Sequence, residues 1–236
     1  MRIRLKKWAR PELAACPFVV QNPELHRNNW KSVYRNSDAP LYLEIGCGKG
    51  GFTAQSAILN PEINYLAIDI KPDMLGVAKR KTEQLFREND RTVNNLRLCV
   101  YNIENIEKVL GEDDRIGRLY INFCNPWPKS KHKKHRLTYT RFLLKYRHFL
   151  DGEIRFKTDD DGLFEESLAY FEDAGYTVTY ITRDLHNSGF SDNVMTEHEQ
   201  MFIEDGKTIK FLIAVPDKEP KVDEADFGSR PEQEEV

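Results

Sequence analysis

The sequence predicts one α/β domain, a mostly parallel sheet with helices on both faces. Short apolar runs alternate with amphipathic stretches, and the first apolar run leads directly into a glycine-rich turn. A chain of 236 residues is long enough for one well-buried core of this kind and short for two. The alternation occupies residues 41–215, so we expect an N-terminal extension over 1–40 and a separate tail over 216–236.

Seven strands are predicted from apolar runs that end at glycine or polar residues. They cover residues 41–45, 64–70, 96–101, 118–124, 152–158, 176–182 and 208–215. A loop without a clear helical pattern separates the last two, which favours antiparallel pairing between them.

Helical periodicity fills most of the intervals between these strands. The predicted helices cover residues 52–59, 73–88, 103–110, 138–149 and 163–171, and Gly175 ends the last of them. A further helix is expected over 24–34, inside the N-terminal extension.

Composition narrows the class of protein. The mean hydropathy is -0.63, and no apolar run approaches the ~20 residues that a bilayer requires. The basic N-terminus lacks the apolar segment of a secretory signal, and the four cysteines stand far apart. We therefore expect a cytoplasmic protein with reduced thiols, no membrane association and no metal site.

Charge is distributed unevenly along the chain. The tail has eight acidic and three basic residues, so it carries -5 and the rest of the chain +2. Such a composition predicts a disordered, solvated tail. Residues 115–150, in contrast, contain ten Lys/Arg and no Asp or Glu, which predicts a phosphate-binding stripe.

A glycine turn follows the first strand. Gly46, Gly48 and Gly51 match G-x-G-x-x-G, and Asp69 ends the next strand about 20 residues later, where a carboxylate can accept both hydroxyls of a ribose. The glycine pattern alone also fits an NAD-dependent dehydrogenase. Glu44 disfavours that alternative, because its carboxylate would repel a pyrophosphate and attract an ammonium group.

S-adenosylmethionine suits these residues better. It carries an ammonium group, a sulfonium and a ribose diol, and it has no phosphate. We therefore predict it as the cofactor, beside Glu44, Gly46, Gly48 and Asp69. Asn102 follows the third strand, where it can contact the adenine, cap the next helix, or do both.

An Asn-Pro-Trp-Pro corner follows the fourth strand. Because ligands of open α/β sheets bind outside the carboxyl ends of the strands, Asn125 is expected near the reactive methyl group. Trp127 offers a stacking face, and Lys129 begins the basic run that follows. The combination indicates a site that holds a nucleobase and grips its phosphates.

Two downstream stretches carry further polar groups. Asp159 ends the fifth strand, where it can accept hydrogen bonds from the N1–H and amino group of a guanine; Asp160 or Asp161 is expected to cap the next helix. Thr196 and Glu199 have the spacing of a capping box.

With these motifs assembled, the chain resembles the bacterial tRNA (guanine-N7-)-methyltransferases, which have a Rossmann-like class I methyltransferase fold. The resemblance rests on Glu44-Ile-Gly-Cys-Gly-Lys-Gly, Phe123-Cys-Asn-Pro-Trp-Pro-Lys-Ser-Lys-His, Phe156-Lys-Thr-Asp and Asn193-Val-Met-Thr-Glu-His-Glu. It implies methyl transfer to N7 of a guanosine in tRNA, usually in the variable loop. It also implies a monomer or homodimer without an obligate protein partner.

The resemblance assigns residues as well. It implies cofactor contacts at Glu44, Asp69, Asn102 and Asn125. It implies contacts with tRNA or the guanine at Lys129, Asp159, Thr196, Glu197, His198 and Glu199.

Two positions depart from the family pattern, because Asn125 and Asn102 stand where aspartate is usual. The family's aspartate at the first position is credited with a catalytic role, so Asn125 is the candidate catalytic residue. Guanine N7 is an unprotonated lone pair that needs no base, so we expect an active enzyme with weaker cofactor binding. Two alternatives stay open: an amino-methyltransferase, since Asn-Pro-Trp is similar to the Asn-Pro-Pro-aromatic corner of those enzymes, and a non-catalytic RNA-binding protein.

Overall fold

One eight-stranded sheet organises the computed structural model, which describes residues 5–227. Its strands are β1 Val19–Val20, β2 Leu41–Ile45, β3 Asn64–Asp69, β4 Leu96–Val100, β5 Ile116–Asn122, β6 Leu150–Thr158, β7 Thr177–Thr182 and β8 Lys210–Val215. They lie in the order β1-β4-β3-β2-β5-β6-β8-β7. The pairs among β1 to β6 are parallel, and β8 is antiparallel to both β6 and β7. This confirms the predicted mostly parallel α/β sheet.

Helices cover both faces of the sheet. They are α1 Ala9–Ala14, α2 Gly51–Leu59, α3 Pro72–Glu88, α4 Thr140–Arg147, α5 Asp161–Asp173 and α6 Glu197–Glu204. All six residues of β3 are buried, as a strand covered on both faces requires. Leu66 and Ile68 join the core on the α4–α5 side, whereas Tyr65 and Ala67 join the core on the α1–α3 side.

The N-terminal segment adds the strand that the sequence analysis missed, so the predicted count of seven is wrong by one. Val19 pairs with Leu98, and β1 thereby extends the sheet at one edge. Two residues are too few to reveal a strand period. Trp30 is fully buried, and its indole N–H donates to the Val109 carbonyl at 2.8 Å. Residues 5–40 are therefore part of the domain's core and edge.

Two segments that the sequence predicts as α-helices are 3₁₀ helices in the structure. The expected helix over 24–34 is replaced by the 3₁₀ turns Pro23–His26 and Trp30–Val33, because the buried Asp114 carboxylate accepts the N–H groups of Asn28 at 2.9 Å and Trp30 at 3.0 Å. The predicted helix at 103–110 is the 3₁₀ helix Ile103–Lys108.

The predicted acidic tail lies partly outside the described residues. Residues 228–236 are not described. Residues 216–227, predicted as disordered, instead lie against the domain: Lys218 N–H donates to the Gly175 carbonyl at 3.1 Å, and the rings of Phe227 and Tyr139 lie 6.0 Å apart. Within the described part of the chain, no helix combines the length and apolarity needed to cross a bilayer.

The strand order reverses between β2 and β5, and this reversal locates the candidate site. In open α/β sheets, ligands bind outside the carboxyl ends of the strands at such a point. The glycine turn after β2, Asp69, Asn102, the Asn-Pro-Trp-Pro corner and Asp159 all follow or end strands at this edge.

Candidate active site

The turn after β2 requires glycine. Gly46, Gly48 and Gly50 have φ angles of +69°, +55° and +67°, a region that side chains strongly disfavour. A Cβ at Gly46 would also lie 3.2 Å from Leu137 Cδ1. The turn is held against β3, since the Gly46 N–H donates to the Ile68 carbonyl at 2.8 Å.

Asp69 fixes the neighbouring turn and remains able to bind a ligand. Its carboxylate accepts the Gly48 N–H at 2.9 Å and the Lys71 N–H at 2.8 Å, one on each oxygen. Burial raises the pKa of this carboxyl, and the two backbone N–H groups oppose that rise. Each oxygen keeps a second acceptor site, which is what a ribose diol requires.

Beside these groups lies a cleft of about 870 Å³, including its open mouth. Its lining comprises Gly46, Asp69, Ile70, Asn102, Ile103, Glu104, Trp127, His135, Leu137 and Phe142. The structure thus brings three of the predicted cofactor residues, Gly46, Asp69 and Asn102, to one cavity. A mostly apolar wall with a few polar groups fits a nucleoside.

Asn102 performs the capping role that its position allows. Its side-chain oxygen accepts the Glu104 N–H at 3.1 Å, at the start of the 3₁₀ helix Ile103–Lys108. The side-chain NH₂ group of Asn102 makes no hydrogen bond with any residue from 5 to 227, so both of its hydrogens can be donated to an adenine.

Glu44 lies behind the glycine turn and outside the lining of the cleft. Its side chain belongs to the sheet face that α2 covers, where it accepts hydrogen bonds from Thr53 Oγ1 and, at 3.0 Å, from Asn122 Nδ2. The residue is 3% exposed. Burial raises the pKa of the Glu44 carboxyl to about 7, and the hydrogen bonds from Thr53 and Asn122 oppose the rise.

The Asn-Pro-Trp-Pro corner is strained. Phe123 and Trp127, on either side of Asn125, have φ angles of +50° and +42°, which cost ~1–3 kcal/mol each for residues with side chains. Asn125 is exposed, and its oxygen accepts the Trp127 N–H at 3.1 Å. The buried Arg136 fastens the corner by donating to the Pro126 carbonyl at 2.7 Å. Asn125 therefore does not line the nucleoside cleft, whereas Trp127 does.

The basic stripe is narrower than the sequence predicts. Six of its ten cations pair with acids that lie outside 115–150 in the chain: Arg115, Arg118, Lys133, Arg136, Arg141 and Lys145. Lys129, Lys131 and Lys134 are exposed and make no ion pair with any described residue. These three ammonium groups are the ones available to a polyanion.

Lys207 links Asp159 to a cluster of three rings, those of Phe123, His198 and Phe202. The Asp159 carboxylate pairs with Lys207 Nζ at 2.9 Å, and that ammonium lies 4.4 Å from the centre of the Phe202 ring. The centre of the His198 ring lies 6.2 Å from the ring centres of both Phe123 and Phe202. Burial lowers the pKa of His198, assisted by the ammonium of Lys49 and opposed by Asp159.

The Thr196–Glu199 stretch divides into two halves. The predicted capping box is confirmed: Thr196 Oγ1 accepts the Glu199 N–H at 2.9 Å, and both side chains are buried. Glu197 and His198 are exposed, and Glu197 pairs with Lys81. The structure thus turns Glu197 and His198 outward, and Thr196 and Glu199 inward.

Several lining residues escaped the sequence analysis. The sequence predicts Ile70 as the last residue of a strand, but β3 ends at Asp69, which leaves Ile70 53% exposed at the cleft. Leu137 and His135 reach the cleft only because the corner folds back, which no local pattern reveals.

Comparisons with known proteins identify the family of the chain. A family model described as "Putative methyltransferase" matches residues 38–212. The tRNA (guanine-N(7)-)-methyltransferase of Clostridium perfringens is 56% identical over 91% of this chain and 99% of its own length. Its counterparts from Clostridium beijerinckii and Acetivibrio thermocellus are 56% and 49% identical over 92% and 91% of the chain, and over 100% and 99% of their own lengths.

Solved structures support the fold. An antibiotic-related methyltransferase aligns with a TM-score of 0.53 at 12% identity, over 91% of this chain and 96% of its own. A 16S rRNA (adenine(1408)-N(1))-methyltransferase variant from Catenulisporales acidiphilia, solved with its cosubstrate, aligns with a TM-score of 0.50 at 14% identity, over 78% and 87%. The fold is that of the class I methyltransferases, and the chain belongs to the tRNA (guanine-N(7)-)-methyltransferase family.

Proposed function

We propose that this protein transfers a methyl group from S-adenosylmethionine to N7 of a guanosine in tRNA, and that the target lies in the variable loop. The observation that carries the proposal is the cleft at the sheet's switch point, which joins Asp69, Asn102 and the glycine turn. Relatives at 48–56% identity over nine-tenths of the chain are named for this reaction.

The cofactor fits the residues present. Asp69 would accept both ribose hydroxyls, Asn102 would contact the adenine, and the bare backbone at Gly46 and Gly48 allows close approach. Glu44 lies outside the lining of the cleft, so the ammonium group would have to pass the bare backbone of the glycine turn to reach its buried carboxylate. The positive charge would then favour the ionised form of that carboxylate. When bound, S-adenosylmethionine supplies an electrophilic methyl group on a sulfonium.

The protein's part in the reaction is positioning. Guanine N7 attacks with its own lone pair, so an in-line approach at close distance can supply most of the rate. Asp159, fixed by Lys207, would accept the guanine's N1–H and amino hydrogens. The ring of His198 lies on the same side as Asp159, where it would contact the base. Asn125, exposed at the strained corner, would act by placing the base or the cofactor, without charge assistance.

The tRNA would be bound by the three exposed lysines that follow the corner and make no ion pair with a described residue. Lys129, Lys131 and Lys134 follow Trp127 within seven residues of the chain, so these lysines would bind backbone phosphates close to an aromatic face that a base can stack on. We also infer a cytoplasmic location, where tRNA is processed; the four free cysteines are consistent with it.

Nucleoside mass spectrometry tests the proposal directly. Unmodified tRNA is incubated with the protein and cofactor carrying a labelled methyl group, then digested and separated. Labelled 7-methylguanosine is the expected product. A label on an exocyclic amine would establish the amino-methyltransferase alternative. The absence of any label, together with tight tRNA binding, would support a non-catalytic RNA-binding protein.

Position in the tRNA is tested by a matched substrate. A transcript whose variable-loop guanosine is replaced by adenosine should lose the label, while a transcript with the same change in the anticodon stem, compensated by its pairing partner, should keep it. Equal labelling of both would refute the variable-loop assignment.

A further inference from the structure

Lys157 is a buried cation with no role in the site described so far. It lies on β6, is 3% exposed, and points to the sheet face that carries Glu44 and Asn122. Its ammonium donates to Asn193 Oδ1 at 2.8 Å, to the Val194 carbonyl at 3.0 Å and to Glu199 Oε2 at 2.8 Å. All three N–H donors of the ammonium thus end on one short segment.

That segment, Asn193–Glu199, depends on the same contacts. Glu199 is fully buried; one oxygen accepts from Lys157, and the other accepts from Asn193 Nδ2 at 2.7 Å. His186 Nε2 lies 3.3 Å from this second oxygen. The Glu199 carboxylate is therefore enclosed by protein donors and turned away from the surface that presents His198.

The backbone of Lys157 also reaches the strained corner. Its carbonyl accepts the Phe123 N–H at 2.9 Å, and Asp159 follows two residues later, immediately after the end of β6. One residue thus contacts the corner through its backbone and the Asn193–Glu199 segment through its side chain. Of the two groups proposed to hold the guanine, Asp159 follows β6 and His198 lies in the Asn193–Glu199 segment.

We propose that Lys157 is a positioning residue: its buried ion pair with Glu199 fixes the Asn193–Glu199 segment against β6, so that His198 and Asp159 face one guanine pocket. This inference rests on the proposed function. It assigns Thr196 and Glu199 to the support of the pocket and leaves direct contact with the base to His198. The Lys157 side chain, in this arrangement, acts on tRNA recognition and does not line the cofactor cleft, although its positive charge lowers the pKa of the Glu44 carboxyl.

Replacing one partner alone is a poor test, because Lys157→Met would leave a buried, uncompensated carboxylate and endanger folding. The double variant Lys157→Met/Glu199→Met removes the pair together and preserves an apolar volume, which is often neutral for stability. Glu199→Gln, which keeps the shape and one acceptor while removing the charge, serves if the double variant does not fold. The matched control is Lys221→Met/Glu172→Met, an exposed pair that joins the end of α5 to the chain after β8.

Four measurements distinguish positioning from general support: melting temperature, calorimetric binding of S-adenosylmethionine, steady-state methylation of tRNA, and amide exchange over 193–199. We expect an unchanged melting temperature and cofactor Kd within about two-fold, with kcat/KM for tRNA lower by about 100-fold, mostly through KM. Amide exchange over 193–199 should accelerate, and the control should match the wild type throughout.

A double variant with wild-type kcat/KM and wild-type exchange would overturn the proposal. Equal losses in cofactor binding and in tRNA methylation would also overturn it, because they would indicate general support of the fold. If the wild type methylates no tRNA, the proposed function fails, and amide exchange still decides whether the ion pair holds the segment.

Discussion

Replacing Glu44 by glutamine should separate cofactor binding from stability. The carboxyl is buried, and its pKa is raised from 4.5 to about 7. In the free protein it is therefore mostly neutral at pH 6 and mostly ionised at pH 7.5. Only the ionised form attracts the cofactor's ammonium group strongly.

The expected pH dependence follows from these values. With a carboxyl pKa of about 7 and an α-amino pKa near 7.8, the population with both charges rises about six-fold between pH 6 and pH 7.5. The affinity of the wild type for S-adenosylmethionine should rise by that factor. Glu44→Gln should show a flat profile and, at pH 7.5, a Kd higher by roughly 10- to 100-fold, because a hydrogen bond to a charged group contributes about 1.5–3 kcal/mol.

The free energy of unfolding of the wild type should fall as pH rises, whereas its affinity for the cofactor should increase. A carboxyl whose folded pKa is raised binds more protons in the folded state, so stability is lost as pH rises from the unfolded pKa of 4.5 to about 7. At pH 8 this loss amounts to about 3 kcal/mol, which the glutamine variant does not incur. Thr53 and Asn122 can both still hydrogen-bond an amide at this position.

Isothermal calorimetry at pH 6.0, 6.5, 7.0 and 7.5, with thermal unfolding of the free protein at pH 5 and pH 8, measures both effects. Glu172→Gln, an exposed surface substitution, is the control and should follow the wild type. Parallel affinity profiles for the wild type and Glu44→Gln would refute the assignment of the ammonium group to Glu44. A glutamine variant less stable than the wild type at pH 8 would refute the burial argument.

Three further outcomes are expected. Lys129→Gln should weaken tRNA binding and reduce the slope of log K against log salt by about 0.7–0.9. Lys145→Gln is the control and should leave the slope unchanged, because the ammonium of Lys145 already pairs with Glu107. Filter binding from about 50 to 200 mM salt measures both slopes. Trp30→Phe, which empties part of a fully buried site and removes a 2.8 Å hydrogen bond to the Val109 carbonyl, should lower the free energy of unfolding in urea by about 2–4 kcal/mol; a change below 1 kcal/mol would contradict the packing described. Asn125→Asp keeps the acceptor for the Trp127 N–H and adds a charge, so the cofactor Kd should fall while kcat changes by less than about three-fold; a wild type inactive until this substitution is made would show that the reaction requires the carboxylate.

The central strands could be predicted from sequence because each is an apolar run ending in a glycine or a polar residue. Asp69 and Asn102 could be predicted to lie together for the same reason, because a parallel sheet gathers its strand ends at one edge, whereas Glu44 lies outside the cleft that these two residues line. The sequence could not indicate β1, since two residues carry no period and their partner strand lies 79 residues later. It could not indicate that the corner folds back over the cleft, because the positive φ angles of Phe123 and Trp127 contradict local preference.

The charge pattern was misleading for a related reason. A stretch without acids predicts one continuous cationic surface, yet Lys133 and Arg136 share Glu166, which lies 30 residues or more away in the chain. Counting charges along the sequence is reliable only when the folded neighbours are also counted. Glu199 illustrates the converse: a polar residue in a conspicuous motif is fully buried by a lysine 42 residues earlier.

The edge strand β1 constrains the order of events during synthesis. Val19 leaves the ribosome 79 residues before its partner Leu98, an interval of about 4–16 s at ordinary elongation rates. Trp30 waits similarly for Val109. The buried residues Phe18, Val19 and Trp30 therefore spend seconds without the surfaces that cover them, and a nascent chain stalled in this interval would expose Trp30 and Phe18 to chaperones or proteases. Slow codons between residues 30 and 98 would lengthen that exposure, whereas the same codons after residue 114 would not.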